Sequence, residues 1–505
     1  MSILLDGNTL SILDVVKIAR LRSKVEIDKK AIGRIKVARK VVDGIACQKE
    51  AVYGINTGFG KFADVPICEN DLKTLQKNLI LSHACGVGEP LPKEVVRAML
   101  ALRINALCVG NSGIDLSTVQ LMIDMLNYDI VPVVPSKGSL GASGDLVPLA
   151  HMSLPLIGLG EVFFKGKRVP SEIAFEKANL KPIELGAKEG LALINGTQAM
   201  CAIATLLIND SKTLLKTADI ISALTSEALT GIVAAYDERL HAARGQRGQI
   251  ETAANLRKLL SSSNLSSKDR VQDAYTLRCI PQIHGASRDT LKFVEQIISN
   301  EINAVTDNPL IFPKTGEVIS GGNFHGQYMA FANDFLAIAM SEIANVSERR
   351  IERLVNPQLS NCLPAFLVKK GGLNSGFMIP QYTAASLVSE NKVLSHPASV
   401  DSITSSANQE DHVSMGMTAA LKAKTIIENV TAVLAIELFT ATQAAELRGK
   451  DKLSKSGKGI FERVRKDVPF IENDDYLAPM IEKCIALVKS GEIVKIAEKA
   501  VGKLK

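Results

Sequence analysis

Tryptophan is missing from the 505 residues, and aromatic side chains make up only 4% of them. With alanine, leucine, isoleucine, lysine and glutamate abundant, that scarcity argues against sheets built on aromatic and β-branched residues and predicts a mainly α protein. The eight cysteines, Cys47, Cys68, Cys85, Cys108, Cys201, Cys279, Cys362 and Cys484, contain no Cys-x-x-Cys pair. They read as free thiols in a reducing compartment, not as a disulfide framework. The seven histidines include no H-x-x-x-H or H-x-H pair, so no metal site is expected. No run of about 18 uncharged apolar residues occurs, and the opening MSILLDGNTLSILD has no basic residue ahead of its apolar ones. The expectation is a soluble, cytoplasmic protein with no membrane partner.

Two familiar catalytic readings fail as well. In GASG the second glycine comes one residue too early for a G-x-S-x-G nucleophile elbow. GFGKFA, from Gly58 to Ala63, does match G-x-G-x-x-A, but no regular strand and helix alternation surrounds it, so no nucleotide is expected. The formal charge is +6, and +5 of it lies from Arg448 onward, where 14 Lys and Arg face 9 Asp and Glu. This basic end is not a stripe interleaved with stacking aromatics, and it reads as solvated surface with no nucleic-acid partner.

What is present is a set of long helical runs. From Thr197 to Thr230, 34 residues pass without glycine or proline, with Met200, Ile203, Leu207, Leu214, Ala218 and Ile221 near helical spacing. A second run extends from Phe331 to Asn356-Pro357, and a third from Met417 to Arg448. Such helices pack side by side, which predicts an elongated bundle of long helices. Before residue 195 the texture changes to shorter segments broken by glycine clusters, a loop-rich N-terminal lobe. The expected organisation is one continuous architecture: a lobe over 1–195, a central bundle over 196–447 and a basic helical region over 448–505. Its last stretch, GEIVKIAEKAVGKLK, reads as a short amphipathic helix.

The stretch SKGSLGASGDLVPLAH packs small residues around Ala142 just ahead of an apolar run. It is able to react with itself. The backbone nitrogen of Gly144 attacks the carbonyl of Ala142 and closes a five-membered ring, and a residue without a β-carbon tolerates that bent approach. Loss of one water gives an imidazolone. Loss of the Ser143 hydroxyl as a second water leaves an exocyclic methylidene, an electrophile that no ordinary side chain supplies.

Around this triad lie, in order, YGINTGFG, SHACGVG, GASGDLVPLAH, LINGTQAM, QDAYTLRC, TDNPL, SGGNFHGQ and SANQEDHVSM. On these eight motifs the sequence resembles, over nearly its whole length, the ammonia-lyases and aminomutases of aromatic amino acids. Those enzymes build 4-methylidene-imidazol-5-one from an internal Ala-Ser-Gly, and the resemblance implies that Ala142, Ser143 and Gly144 form it here. Within that family the histidine-acting branch is nearest, at two places. Ser82-His83 stands where the phenylalanine and tyrosine enzymes carry other pairs, and Glu410 stands where phenylalanine enzymes have an amide. Taken singly, His83 would be a core histidine and Glu410 a solvated carboxylate. Together they offer partners to the ring N–H and N of an imidazole, which an apolar ring would leave unsatisfied. The implied substrate is L-histidine, converted by non-oxidative anti-elimination to trans-urocanate and ammonia.

The resemblance also implies roles for single residues. Tyr53 is the candidate base for the β-proton, with Tyr275 as a second hydroxyl. A tyrosine of ordinary pKa, about 10, needs positive surroundings for this work. Arg278, three residues beyond Tyr275, is expected to supply that charge and to grip the substrate carboxylate with its planar fork. The other tyrosines, Tyr128, Tyr236, Tyr328, Tyr382 and Tyr476, read as half-buried packing. Asn195 and Gln272 match positions that bond the ring or the substrate, and Phe324 matches a pocket-lining residue. Asn195 also reads as an N-cap of the Thr197 helix. Asp145 carries no firm task, and Ala274 departs from the proline expected before the tyrosine. Relatives collect such motifs from neighbouring subunits, so the implied assembly is a homotetramer with shared pockets. Three alternatives stay open: an aminomutase, a lyase for tyrosine or phenylalanine, and an inert helical scaffold.

Overall fold

The computed structural model describes residues 2–48 and 50–505. Among them run nineteen α-helices, while nine strands of at most four residues form three two-stranded sheets and one three-stranded sheet. The mainly α expectation holds. The chain divides into two compact units, one made of Met1–Asn209, Glu295–Asp334 and Pro397–Leu421, the other of Asp210–Val294, Phe335–His396 and Lys422–Lys505.

The three expected long helices are present as Gln198–Ala228, Gln327–Val355 and Gly416–Gly449. A fourth, Ile280–Glu301, was hidden in the sequence by Pro281 and Gly285. Pro281 falls in the first turn, where a missing N–H costs no helical bond. Gly285 lies where this helix meets Arg247–Leu260 so closely that a β-carbon would stand 2.4 Å from the Gln249 nitrogen. By length and composition, Gly416–Lys452 is apolar enough to cross a membrane, yet 78% of its most apolar window is buried inside the protein. Its apolar surface is therefore used in packing.

In the first unit the helix Lys93–Cys108 is buried at every residue from Val95 to Cys108. It packs against Ile12–Arg20, Lys29–Ala46 and Leu116–Asn127. A helix enclosed on all sides must satisfy its polar members internally. Arg97 does so on the carbonyls of Ile18 and Leu126, and Asn105 on the Ile302 carbonyl at 2.9 Å. The second unit holds a buried charge cluster. Asp219 accepts from Arg288 at 2.7 Å and lies 2.8 Å from His284 Nδ1, while Glu437 takes both Nε and Nη2 of Arg350. Of the five tyrosines expected half-buried, Tyr236 is fully buried and Tyr128, Tyr328, Tyr382 and Tyr476 are exposed. The final amphipathic helix is Glu492–Val501.

Candidate active site

The triad lies in the loop between the strand Pro135–Lys137 and the helix Leu146–Ser153. Gly144 has φ +74° and pairs with Gly196 in a parallel bridge so close that a β-carbon would meet the Gly196 carbonyl oxygen at 2.1 Å. Only glycine fits there. The Ser143 carbonyl accepts from Asn195 Nδ2 at 2.9 Å, and the Ser143 hydroxyl donates to Glu410 Oε1 at 2.7 Å. The second Glu410 oxygen accepts from the Ser405 hydroxyl at 3.1 Å.

Asp145 has the task that the sequence left open. Its Oδ2 accepts from the backbone N–H groups of Ala199 and Met200 at 2.8 and 3.0 Å, which caps the long helix Gln198–Ala228 from outside. The N-cap role expected of Asn195 is thus filled by Asp145, and Asn195 instead ends the short helix Glu189–Ile194. Complete burial pushes the Asp145 carboxyl up to about 7, against the pull of the Met200 and Ala199 amides and of Ser139. A group able to give or take a proton near neutrality therefore directly follows the triad.

Asn195 is fixed from below. Arg103 Nη1 donates to the Asn195 carbonyl at 2.9 Å and to Gln198 Oε1 at 3.0 Å, and Nη2 donates to the Ala192 carbonyl. Desolvation lowers this fully buried guanidinium to about 10, and the nearby charge of Asp307 resists the shift. Asp307 is itself paired with the buried Lys188 at 2.7 Å. A buried pair of this kind is costly to break, because the surviving charge would be left without a partner.

Above the triad opens a cavity of about 1260 Å³. Seven of the residues expected at the site line it: Tyr53, His83, Ala142, Ser143, Asn195, Phe324 and Glu410. Gly144 lines an adjoining cavity of about 250 Å³. Burial pushes the Tyr53 hydroxyl up, the Gly60 backbone N–H pulls it down, and the negative charge of Glu410 raises it again. Burial lowers the His83 imidazole, opposed by the Leu79 carbonyl and by Glu410. The positive surroundings expected for Tyr53 are not among these influences.

Gln272, Tyr275 and Arg278 belong to the second unit and line neither cavity. They form a cluster of their own, with Tyr275 and Arg278 on the short helix Tyr275–Arg278 and Gln272 in the segment before it. Arg278 Nη1 donates to Gln272 Oε1 at 2.8 Å, and the guanidinium lies 4.7 Å from the centre of the Tyr275 ring. Tyr275 is 69% exposed, and Arg278 Nε, shielded from solvent, has no hydrogen-bond partner among the described residues.

The cavity also holds residues to which the sequence reading gave no role: Lys61, Asn308, His325 and His412. Asn308 was visible as the Asn-Pro of TDNPL, and the two histidines as members of their motifs. Arg103 had a signal too, as a charge inside the apolar run AMLALRINALC.

A mainly helical chain whose cavity floor is an Ala-Ser-Gly loop, flanked by a tyrosine, a histidine and a carboxylate, defines the class. The chain belongs to the aromatic amino acid lyase family, whose model matches residues 10–466. It is 56% identical over 497 residues to the histidine ammonia-lyase of Caldanaerobacter subterraneus subsp. tengcongensis, covering 98% of each chain. Among solved structures it is similar to histidine ammonia-lyase from Trypanosoma cruzi, with TM-score 0.93 and 43% identity over 99% of this chain and 96% of that one. It is also similar to tyrosine aminomutase from Streptomyces globisporus, with TM-score 0.96 and 36% identity over the whole of both chains.

Proposed function

We propose that this chain removes ammonia from L-histidine by non-oxidative anti-elimination, giving trans-urocanate, and that Ala142, Ser143 and Gly144 mature into 4-methylidene-imidazol-5-one. The observation that carries the substrate is the pair of Glu410 and His83 on the cavity wall beside the triad. A carboxylate and an imidazole match the donor and acceptor of a histidine side chain, whereas a phenyl ring offers a partner to neither.

The residues fit the group. Gly144 has no room for a β-carbon, Asn195 holds the Ser143 carbonyl, and Asp145 offers a proton-exchanging carboxyl next in the chain. Once formed, the group supplies electrophilic activation of the substrate amine, which turns ammonia into a better leaving group. The remaining work falls to side chains. Tyr53, as the phenolate, takes the β-proton on its oxygen, Glu410 and His83 orient the imidazole, and Phe324 closes the wall. Burial and Glu410 raise the Tyr53 hydroxyl, and no cation among the described residues of its own chain counters them there, which supports a cation supplied by another chain. We assign that part to Arg278, with Tyr275 and Gln272, of a neighbouring copy in a homotetramer; the exposure of Tyr275 and the unpaired Arg278 Nε support it. All eight cysteines are unpaired, which supports a reducing, cytoplasmic setting.

The test is the mass of the intact chain together with product analysis. The mature polypeptide weighs two waters less than its encoded sequence, and Ser143→Ala restores the full mass and abolishes turnover. Glu410→Gln keeps the mass loss but lowers kcat/KM for histidine by about two orders of magnitude or more. A chain of unmodified mass ends the enzymatic reading. The likeness to tyrosine aminomutase keeps one second reading, amine return to the β-carbon, which β-histidine among the products would establish and urocanate with free ammonia would reject.

A further inference from the structure

Two chain segments line the cavity: Ser320 to His325, with Phe324, and Ser406 to His412, with Glu410. Their roots are tied together at the triad loop. The Gly141 carbonyl accepts from the Gly326 N–H at 3.2 Å and from the Ser414 hydroxyl at 2.8 Å, and the Leu140 carbonyl accepts from the Met415 N–H at 2.8 Å. Beyond those roots the segments meet again, through His325 and His412. The two rings stack with centroids 5.3 Å apart and planes 30° from parallel.

The contact has a direction. His325 Nε2 lies 3.4 Å from the His412 carbonyl oxygen and 3.3 Å from His412 Nδ1. A carbonyl only accepts, so His325 Nε2 carries the hydrogen and His412 Nδ1 shares it as a second acceptor. Each histidine is close in the chain to a wall residue, His325 directly after Phe324 and His412 two after Glu410.

The Glu410 segment needs such support. Ser406, Ala407 and Asn408 are consecutive non-glycine residues in left-handed conformation, with φ of 51°, 51° and 67°. Strain of this kind persists only where the surroundings over-determine it. On the near side the Glu410 backbone N–H and carbonyl both pair with Ser405, at 3.3 and 2.9 Å. On the far side are the Val413 N–H, bonded to the Ser402 hydroxyl at 3.1 Å, and the histidine contact.

We propose that His325 and His412 are positioning residues: a clasp that fixes Glu410 relative to Phe324 and thereby sets how well the cavity binds its aromatic amino acid. The inference rests on the reading that Glu410 and Phe324 face the substrate. The clasp takes no part in proton transfer or in maturation of the triad, so its loss falls on KM.

The experiment compares six proteins: the parent, His325→Leu, His412→Leu, the double leucine variant, His325→Gln and His412→Asn. Glutamine at 325 keeps a donor where Nε2 stands, and asparagine at 412 keeps an acceptor where Nδ1 stands. Each single leucine variant is expected to raise KM roughly three- to tenfold, the worth of one lost hydrogen bond, with kcat changed less than about twofold. The double variant is expected to be no worse than the worse single, because the pair acts as one unit. The amide variants return KM toward the parent. Intact mass and near-ultraviolet absorbance stay those of the parent throughout. Unchanged KM in the leucine variants, losses that multiply in the double variant, a loss confined to kcat, or an unprocessed triad would each overturn the inference. If the parent deaminates a different aromatic amino acid, the histidine reading fails by itself, and the same six-way comparison on that substrate still decides the clasp.

Discussion

Replacing Gly144 by alanine tests whether the backbone at the triad has any freedom. The residue has φ +74°, and an alanine forced into that region loses about 1–2 kcal/mol. The larger effect is steric. The new β-carbon would stand 2.1 Å from the Gly196 carbonyl oxygen, where ordinary contact begins at 3.4 Å, so the two strands of chain must separate by more than an ångström. That carbonyl also accepts the Asp145 N–H at 2.6 Å, a bond worth about 1 kcal/mol. Moving it disturbs the neighbouring Asn195 that holds the Ser143 carbonyl. Together these give a loss of roughly 3 kcal/mol or more and, in a chain of 505 residues, a melting temperature lower by about 3 °C or more. Gly166→Ala is the control, because it shares a positive φ of +81° but has nothing within 4 Å of the new carbon. The control should show only the conformational cost and a fully processed triad. Scanning calorimetry and intact mass read both variants. A Gly144→Ala chain that melts with the parent and still weighs two waters less than encoded would refute the argument.

Tyr53→Phe should keep the mass loss and the absorbance while kcat falls about 10²- to 10⁴-fold, the usual worth of a positioned base; full activity would move the role to Tyr275. Co-expressed Tyr53→Phe and Arg278→Ala chains should recover turnover that neither has alone, because mixed assemblies contain pockets with both residues intact, and light scattering should show tetramers. No recovery, or an active monomer, would show that the pocket is not shared. Asp145 adds a pH dependence. Burial holds its carboxyl at about 7 against an ordinary 3.8, so between those values the folded chain keeps a proton that the unfolded chain releases. Stability should therefore fall as pH rises through that window, by roughly 4 kcal/mol in all, and level off above it. Asp145→Asn, which does not ionise, should show a shallower decline of melting temperature from about pH 5 to about pH 8; an unchanged slope would assign the dependence to another group.

How much of this was legible in the sequence depends on the range of the interactions. Helices without glycine or proline declared themselves, whereas Ile280–Glu301 did not, because Pro281 and Gly285 break the pattern locally while their surroundings tolerate both. The triad, Tyr53, His83, Asn195, Phe324 and Glu410 were visible through their motifs, and the fold brings all of them but Gly144 to one cavity, with Gly144 lining the adjoining one. What the motifs could not give was the pairing. Arg103 meets Asn195 across 92 residues, Lys188 meets Asp307 across 119, and His325 meets His412 across 87. The N-cap shows why. A local rule assigned it to Asn195, the polar residue ahead of the helix, yet the carboxylate that takes the free N–H groups comes from Asp145, 54 residues before Ala199. That substitution has a chemical consequence. Because Asp145 caps the helix, its backbone cannot shift without uncapping Gln198–Ala228, and the Gly144 nitrogen just before it is held by the same constraint. The long helix therefore does more than build the core: it fixes the position of the Gly144 nitrogen, the atom that attacks in the proposed cyclisation.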